Sequence, residues 1–448
     1  MAVKRRVAII GGGPAGTICA LRLLQSAPDA GRGWEVVIFD RKVFLEFGPP
    51  GCNMCAGVIA DTVMQQLEEL GVPVPTELIQ RRIEGHHFET RWGGLSLPKE
   101  PEATLCTVYR GLGPKGLGYD ERRSFDQFLL RSAVERGAQH IRALVHTIHF
   151  PQDSRAPLQV HYGEGETLEA EVVIAACGVN STLPTRLEQA GFGYRAPATI
   201  HACQAEIPLD EDAVTRCFRD EIKVFSLGLP GIRFGAITPK REHVTVTVVG
   251  PHIRRADLER FLQHPQVIRH FPPGWQIPSE YCHCHPKLPV TAARCPVTDR
   301  FLVIGDAYIS RYLKNGIESA FYTGSLAAEV VLQNRLSRSE LWHYYVRPCE
   351  RRYRWDNLYG RLLFRLNDLI ARSRWLTASR LRILRKEAAA ADWETKPETQ
   401  ILWHLFTGSA PYRDIFHRAL WFSLQWRMAQ ALWEEAREWL GVRGRRGR

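Results

Sequence analysis

Several features are missing from this chain of 448 residues, and each absence argues against a class of protein. No stretch approaches 18 uninterrupted apolar residues, so the sequence predicts no transmembrane helix. A Gly-x-Ser-x-Gly segment does not occur, which argues against a serine hydrolase of that type. No familiar DNA- or RNA-binding motif is present and the basic residues are spread along the chain, so we expect no nucleic-acid partner. No internal repeat stands out.

Signals for secretion and for a disulfide framework are also lacking. The apolar stretch at residues 7–10 is too short for the core of a signal peptide, so we expect a cytoplasmic protein. The 11 cysteines have irregular spacings, which in an intracellular chain predicts buried thiols rather than disulfides. The net charge of +11 favours an anionic partner, and we interpret it as a peripheral contact with the inner face of a membrane.

A glycine-rich loop follows the first predicted strand. Residues 7–10 form a β-branched apolar run, which is typical of a strand buried in a parallel sheet. The next six residues fit G-x-G-x-x-G and a helical apolar pattern follows them; the six are Gly11, Gly12, Gly13, Pro14, Ala15 and Gly16. In this motif the first glycine permits a tight turn, the second admits a pyrophosphate, and the third lets helix and strand pack closely. Backbone N–H groups at the helix start then bind the anion.

An acidic residue lies where this motif requires one. A second predicted strand at residues 35–39 ends at Asp40, 24 positions after Gly16 and near the roughly 20 typical of a ribose-binding carboxylate. We therefore predict that Asp40, with Arg41 beside it, binds a nucleotide. A carboxylate here repels a 2′-phosphate, which disfavours NADP in this loop. The loop alone does not distinguish NAD from FAD.

Three downstream segments resemble flavin-binding elements of FAD hydroxylases and related reductases. A predicted strand at residues 301–304 leads into Gly305-Asp306-Ala307, and a helix then begins with Gly316-Ile317. Residues 122–130 resemble the R-x-x-F-D-x-x-L helix, and residues 172–181, which include Gly178, resemble a strand ending in A-x-G-x-x-S. Over residues 5–330 the chain thus resembles a geranylgeranyl-reductase-like member of the p-hydroxybenzoate-hydroxylase-type flavoproteins.

This resemblance implies FAD as the cofactor. It places Asp306 near the ribitol and pyrophosphate, and Arg122 near the flavin. It also places the helix start at Gly316 and Ile317 against the pyrimidine ring, where the helix dipole stabilises negative charge. One departure is that residues 310–313 lack the proline usual in the family.

Two cysteines follow the second strand. Cys55 to Ile59 match the C-x-G-x-I/L segment of the reductase branch, whose cysteine lies near the flavin. A thiol there with a lowered pKa can supply a proton, which makes Cys55 the candidate catalytic acid. Cys52 completes a C-x-x-C segment that can form a dithiol redox pair. The alternative is that both are small buried residues in a tight loop.

Two other patterns predict no additional ligand. Residues 111–116 also fit G-x-G-x-x-G, but no helix begins cleanly after them, which indicates a Gly/Pro loop. We therefore expect an external electron donor, NAD(P)H or ferredoxin-like, to dock transiently.

Residues 282–285 alternate Cys and His. In a strand the two residue types point to opposite faces, so we predict no metal site.

These patterns predict an α/β fold: a Rossmann-type FAD-binding domain, an inserted antiparallel β-sheet substrate domain and a C-terminal helical region. The predicted boundaries are 1–185 for the first FAD-binding part (with an insertion at about 60–100), 186–284 for the substrate domain, 285–335 for the last FAD-binding part and 336–448 for the helices. Nine of the 12 Trp lie beyond residue 340. Either they fill a helical core, or they belong to a basic aromatic face for a membrane or an apolar substrate.

The leading functional hypothesis is an FAD-dependent oxidoreductase that reduces carbon–carbon double bonds of an isoprenoid or lipid-like small molecule. The alternative is an FAD-dependent monooxygenase or halogenase acting on an apolar or aromatic substrate, because these classes share the fold. A missing W-x-W-x-I-P segment weakens the halogenase variant. The complete set of flavin motifs disfavours a third hypothesis, a binding scaffold with a structural flavin.

Overall fold

The computed structural model describes residues 5–25, 33–153 and 155–446, with the side chains of the last helix described to residue 438. The strands, numbered in chain order, are β1 (Arg6–Ile10), β2 (Glu35–Phe39), β3 (Val58–Ala60), β4 (Arg81–Arg82), β5 (Gly85–Thr90), β6 (Gly93–Pro98), β7 (Leu105–Thr107), β8 (Gln139–Ile141), β9 (Val145–His149), β10 (Leu158–Tyr162), β11 (Glu166–Ala170), β12 (Val172–Ala175), β13 (Thr199–Pro208), β14 (Glu221–Ser226), β15 (Phe234–Pro239), β16 (His243–Gly250), β17 (Cys282–Cys284), β18 (Lys287–Pro289), β19 (Val297–Thr298) and β20 (Phe301–Val303). The α-helices are α1 (Pro14–Gln25), α2 (Asp61–Glu69), α3 (Phe125–Glu135), α4 (Leu183–Gln189), α5 (Glu211–Phe218), α6 (Arg255–Leu262), α7 (Pro265–Ile268), α8 (Gly316–Leu332), α9 (Arg338–Leu341), α10 (Arg347–Cys349), α11 (Asp356–Arg372), α12 (Arg374–Ala388), α13 (Pro397–Thr407), α14 (Tyr412–Ala419) and α15 (Phe422–Arg446).

The chain forms two compact units, each assembled from separate stretches of sequence. The first unit comprises residues 1–79, 108–200 and 286–355, and the second comprises 80–107, 201–285 and 356–448. The domain boundaries predicted from the sequence differ from these most clearly at the C-terminus. Residues 336–355 belong to the first unit and the later helices belong to the second. The sequence instead predicts one separate helical region for residues 336–448.

The first unit is built on a six-stranded sheet in the order β19-β20-β12-β1-β2-β8. All neighbours pair in parallel except β19, which is antiparallel to β20. The apolar runs of β1 and β12 are buried, as expected for strands covered on both faces. Because the strands are parallel, the residues that follow β1, β2, β12 and β20 lie at the same edge of the sheet. The Rossmann-type fold predicted from the sequence is confirmed.

Helices α1 and α8 pack closely in this unit because of a glycine. A Cβ atom at Gly324 would lie 2.4 Å from Ile18 Cγ2 and 2.5 Å from the backbone oxygen of Ala15. Only a residue without a side chain permits this approach. The middle of α8 is thereby placed beside the start of α1.

The second unit contains a mostly antiparallel sheet with the strand order β17-β13-β16-β15-β14-β5-β6, in which β14 and β5 pair in parallel. Alternate residues of β16, such as Val244, Val246 and Val248, enter a core with α5 and α6. The predicted antiparallel substrate-domain sheet is therefore present.

The helices after residue 356 belong to this second unit because their apolar side chains pack on its sheet. Leu381 and Leu384 of α12 form a buried cluster with Phe88 of β5 and Leu97 of β6. Trp403 is buried, as a core-filling tryptophan would be, but Trp433 is 66% exposed. The core-filling interpretation thus holds for Trp403, and the basic aromatic face for a membrane or an apolar substrate stays a prediction. Among the described residues, no helix is both long and apolar enough to cross a membrane.

Candidate functional site

The glycine loop after β1 has the tight geometry that the motif predicts. Gly11 has a φ of +121°, and a Cβ atom there would lie 2.3 Å from the backbone oxygen of Ala176. At Gly16 a Cβ atom would lie 1.9 Å from the Gly11 oxygen. Pro14 and Ala15 are buried at the start of α1, whose first turn carries no acidic residue. The helix start can therefore receive an anion without a competing carboxylate.

Asp40 faces this loop at the end of β2. Its Oδ2 accepts a hydrogen bond of 2.8 Å from the backbone N–H of Gly12, and its Oδ1 accepts one of 2.8 Å from Lys42 N–H. These bonds hold the carboxylate beside the nucleotide loop, where a ribose-binding group is expected. The neighbouring Arg41 is exposed. The binding roles of Asp40 and Arg41 stay predictions.

The loop after β20 lies against the same helix start. Gly305 has a φ of +65°, and its N–H donates to Thr323 Oγ1 of α8 over 3.0 Å. A Cβ atom at Gly305 would lie 3.0 Å from Ala15 Cβ, and one at Gly316 would lie 3.8 Å from Asp306 Oδ1. The structure thus gathers Gly305, Asp306 and Gly316 at the starts of both helices, with Ile317 buried behind them.

Asp306 carries a buried oxygen that the protein itself does not satisfy. Its Oδ1 has no hydrogen-bond partner among the described residues. Burial raises the pKa of Asp306, while Ser310 and the charge of Arg110 act in the opposite direction. Buried polar atoms normally have partners, so this oxygen is suited to a ligand hydroxyl. Together with the glycine loop and Asp40, it fits the ribitol and pyrophosphate of FAD.

Gly178 follows β12 and is the last of the predicted cofactor-binding residues at this edge of the six-stranded sheet. Its φ is +64°, which favours glycine, and a Cβ atom there would meet nothing within 4 Å. The backbone is therefore open at this position. Its predicted role in cofactor binding stays a prediction.

The segment containing both candidate catalytic cysteines folds tightly against residues 108–113. A Cβ atom at Gly111 would lie 2.3 Å from the Gly51 oxygen, and one at Gly57 would lie 2.0 Å from the Val108 oxygen. Cys52 Sγ accepts from Met54 N–H over 3.2 Å, and Cys55 Sγ accepts from Gly57 N–H over 3.4 Å. Neither sulfur forms a disulfide in the described part of the chain, and both side chains are half-buried. The second glycine motif is thus part of this packed loop, and no helix follows it directly.

A buried ion pair, which the sequence analysis missed, anchors the cysteine segment. Arg110 Nε donates to Asp126 Oδ1 over 2.7 Å, and the two side chains are 5% and 0% exposed. Asn53, between the cysteines, donates from Nδ2 to Asp126 Oδ2 over 2.6 Å. Lys42 Nζ donates to Asn53 Oδ1 over 3.3 Å and to the Cys52 carbonyl. The sequence does carry one signal for a buried charge here, since Arg110 is the sole charged residue between positions 105 and 113.

Arg110 is the buried cation of this region. Burial lowers its pKa, but the negative charge of Asp126, with contributions from Cys55 and Cys52, outweighs burial and raises it. Arg110 therefore stays charged beside both thiols. Arg122, the arginine predicted from the motif, is instead exposed, and its Nε donates to Asp120 Oδ1 over 3.0 Å. The structure does not group Arg122 with the buried network.

Among the residues of the second unit that the structure describes, one cluster could offer metal ligands. His87 Nε2 and His270 Nε2 lie 3.1 Å and 3.2 Å from Glu89 Oε2. Arg269 Nη2 also lies 2.5 Å from this oxygen, so the cluster is arranged as a charge network around Glu89. Residues 282–284 form the predicted strand β17.

Comparison with known proteins finds reductases of geranylgeranyl compounds among the similar sequences. The chain is 25% identical over 377 residues to the chloroplastic geranylgeranyl diphosphate reductase of Nicotiana tabacum, covering 79% of this chain and 71% of the relative. It is 24% identical over 388 residues to the digeranylgeranylglycerophospholipid reductase of Methanococcus vannielii, covering 81% and 87%. The chain is an FAD-dependent oxidoreductase that is similar to geranylgeranyl reductases. No protein-family model matches it.

Solved structures support the fold of this reductase-like flavoprotein. A geranylgeranyl bacteriochlorophyll reductase-like protein from Thermoplasma acidophilum superposes with a TM-score of 0.64 at 17% identity, covering 96% of this chain and 99% of that one. A flavin-dependent brominase superposes with a TM-score of 0.59 at 16% identity, covering 96% and 99%. At these identities the similarity shows a shared fold, and the fold by itself does not separate reduction from oxygen chemistry.

Proposed function

We propose that this protein reduces carbon–carbon double bonds of an isoprenoid or lipid-like substrate. The observation that carries the proposal is sequence similarity, over about four-fifths of the chain, to relatives that are named as reductases of geranylgeranyl compounds. The glycine loop and the partner-free Asp306 oxygen support binding of FAD. When bound, FAD supplies hydride chemistry suited to an alkene.

In this proposal the residues of the first unit divide into binding and positioning groups. The start of α1 binds the pyrophosphate, Asp40 binds the ribose, and Asp306 accepts from a ribitol hydroxyl. The start of α8 at Gly316 and Ile317 favours negative charge near it through the helix dipole. Arg110 and Asp126 hold the Asn53 segment, and with it both cysteines, beside the glycine loop.

Cys55 is the proposed proton donor, and Cys52 is the proposed second member of a dithiol pair with it. Its Sγ is half-buried, and it is held by the Gly57 N–H group near the Arg110 guanidinium. In this proposal the Cys55 thiol transfers its proton to a substrate carbon as a general acid. We expect Cys55→Ser to lower alkene reduction strongly and to leave flavin bound. Cys217→Ser, at a half-buried cysteine of the second unit, is the matched control.

An external donor completes the proposed reaction. The loop at residues 111–116, which resembles a second nucleotide motif, is packed against the Gly51 backbone. This packing leaves the loop unsuited to hold a second nucleotide permanently. It therefore favours a donor that docks transiently, either NAD(P)H or a ferredoxin-like protein. Stopped-flow reduction of the oxidised holoprotein by NADH, NADPH and a reduced ferredoxin distinguishes the donors.

The reaction is tested by product mass. Holoprotein reduced without oxygen and given geranylgeranyl diphosphate or an unsaturated ether lipid should add two hydrogens per double bond. After air is admitted to the reduced holoprotein and substrate, addition of an oxygen atom, or rapid substrate-dependent oxygen consumption, would instead establish a monooxygenase. If the protein gains no flavin absorbance when FAD is added, both the reductase and the monooxygenase hypotheses are contradicted.

A lipid substrate and the charge of +11 also support contact with an anionic membrane surface, with the protein peripheral to it on the cytoplasmic side. Such a location brings the enzyme to an apolar substrate that is scarce in water.

A further inference from the structure

Helix α11 of the second unit carries an apolar stripe on its solvent side. Leu358, Leu362, Leu366 and Leu369 are 47%, 48%, 43% and 60% exposed, and their spacing puts them on one face of the helix. The opposite face is buried in the unit. Single exposed leucines are ordinary, but four on one helical face mark an interaction surface.

A second exposed apolar surface lies at the start of α15. Phe422, Trp426 and Trp433 are 81%, 57% and 66% exposed, at spacings of four and seven residues that align them on one face. The Phe422 and Trp426 rings stack with their centroids 6.5 Å apart. Leu420 and Trp421, just before the helix, are also more than half exposed.

Ring contacts between α11 and α14 lie close in sequence to both surfaces within the second unit. Tyr359 of α11 lies 5.3 Å from Phe416 and 6.0 Å from His417 of α14, measured between ring centroids. Helix α14 leads directly into Leu420 and Trp421. The leucine stripe and the aromatic surface are therefore neighbours.

Positive charge borders the apolar side chains. Arg361, Arg365 and Arg372 follow one edge of the leucine stripe at spacings of four and seven residues, and Arg418 lies 5.6 Å from the Trp421 ring centroid. The two acids of α11 are engaged elsewhere. Asp356 accepts from the backbone of Tyr412, and Asp368 pairs with Arg233 at 3.3 Å. The outward face of α11 is thus apolar and cationic.

We propose that these leucine and aromatic faces of α11 and α15 form a docking surface for an anionic lipid bilayer. Leucines enter the acyl boundary, tryptophans occupy the headgroup level, and the arginine row meets lipid phosphates. A second copy of the chain fits less well, because it would bring like-charged arginine rows together. This inference deepens the membrane contact proposed above and does not depend on which reaction the flavin site performs.

The test uses the full-length holoprotein and vesicles of phosphatidylcholine alone or mixed with phosphatidylglycerol. We expect co-sedimentation with the anionic vesicles, weakened several-fold but not abolished by high salt. The double variant Leu362→Glu/Leu366→Glu should lower the partition coefficient at least tenfold, and Trp426→Ser/Trp433→Ser should do likewise. Leu332→Glu, at a leucine of α8 that is 37% exposed, is the matched control and should bind as wild type does.

Three results would overturn the proposal that these faces dock on a bilayer. These are no binding of the wild-type protein to anionic vesicles, unchanged binding of both double variants, or a wild-type dimer in light scattering that the leucine variant converts to monomer. Flavin absorbance, melting temperature and reduction of detergent-dispersed substrate are measured on the same samples. These readouts should stay unchanged in the variants, so failure of the docking surface is distinguishable from failure of the proposed reaction.

Discussion

At the residue scale, the glycine loop depends on the absence of single Cβ atoms. Gly16→Ala would place a Cβ atom 1.9 Å from the Gly11 backbone oxygen, so the loop has to move. We expect FAD affinity to fall at least tenfold, about 1.4 kcal/mol, when measured by quenching of flavin fluorescence. Gly118→Ala is the control, because a Cβ atom there meets nothing within 4 Å. Equal affinities of the two variants would contradict this role for Gly16.

The buried pair of Arg110 and Asp126 gives a second prediction at this scale. Asp126→Leu leaves a buried guanidinium without its counter-charge, which we expect to cost about 3–5 kcal/mol in urea unfolding. The double variant Arg110→Met/Asp126→Leu should recover part of this loss, since no unpaired charge remains. Asp120→Leu, in the exposed pair with Arg122, should change stability little. Iodoacetamide labelling of Cys52 and Cys55 should accelerate in Asp126→Leu if the pair positions that segment.

At the element scale, Glu89 connects strand β5 to helix α7 and its following residues. Burial raises the pKa of Glu89, but hydrogen bonds from His270, His87 and Arg269 outweigh burial and lower it from 4.5 to about 2. Because the folded pKa lies below the unfolded one, this stabilisation is complete above pH 4.5 and is lost as the pH falls toward 2. The difference corresponds to roughly 3 kcal/mol.

We therefore expect urea unfolding of the full chain to show a stability loss between pH 4.5 and 2 that Glu89→Gln removes. Glu84→Gln, at an exposed glutamate of the same unit, should keep the wild-type pH profile. A Glu89→Gln profile parallel to that of the wild type would show that Glu89 is not responsible.

Most individual elements could be predicted from local sequence. The strand at residues 35–39 and the strand that begins at Val172 occur where their apolar runs predict them. Helix α8 begins at Gly316, as the resemblance implied. These elements are encoded by short periodic patterns, so neighbouring residues suffice to predict them.

At the scale of the whole molecule, binding of FAD should stabilise the fold. A ligand that binds only the native state at 100 times its Kd adds about 2.7 kcal/mol to the free energy of unfolding. We expect the melting temperature of flavin-free protein to rise with added FAD, whereas adenosine alone should raise it less. No change with FAD, in protein that remains folded, would contradict the cofactor assignment.

The assembly of the two units was less accessible from the sequence than the elements. The sequence predicts a helical region of its own at residues 336–448, because a helical pattern shows that one face is apolar but not which surface covers it. Leu381 and Leu384 acquire a partner only when Phe88, almost 300 positions earlier, lies beside them. Such long-range packing leaves no local signal.

The sequence alone determined the glycine loop and the acidic residue after β2, since a strand, a glycine turn and a helix are encoded within about 30 consecutive residues. It also indicated the class of flavoprotein, through the resemblance of three further segments at residues 122–130, 172–181 and 301–317. Only the tertiary structure decided that Arg110, rather than Arg122, is the buried arginine, because its partners Asp126 and Asn53 come from separate segments. It also decided which leucines of α11 meet solvent. Leu362 and Leu363 are chemically identical neighbours, and packing against the rest of the unit buries one and exposes the other.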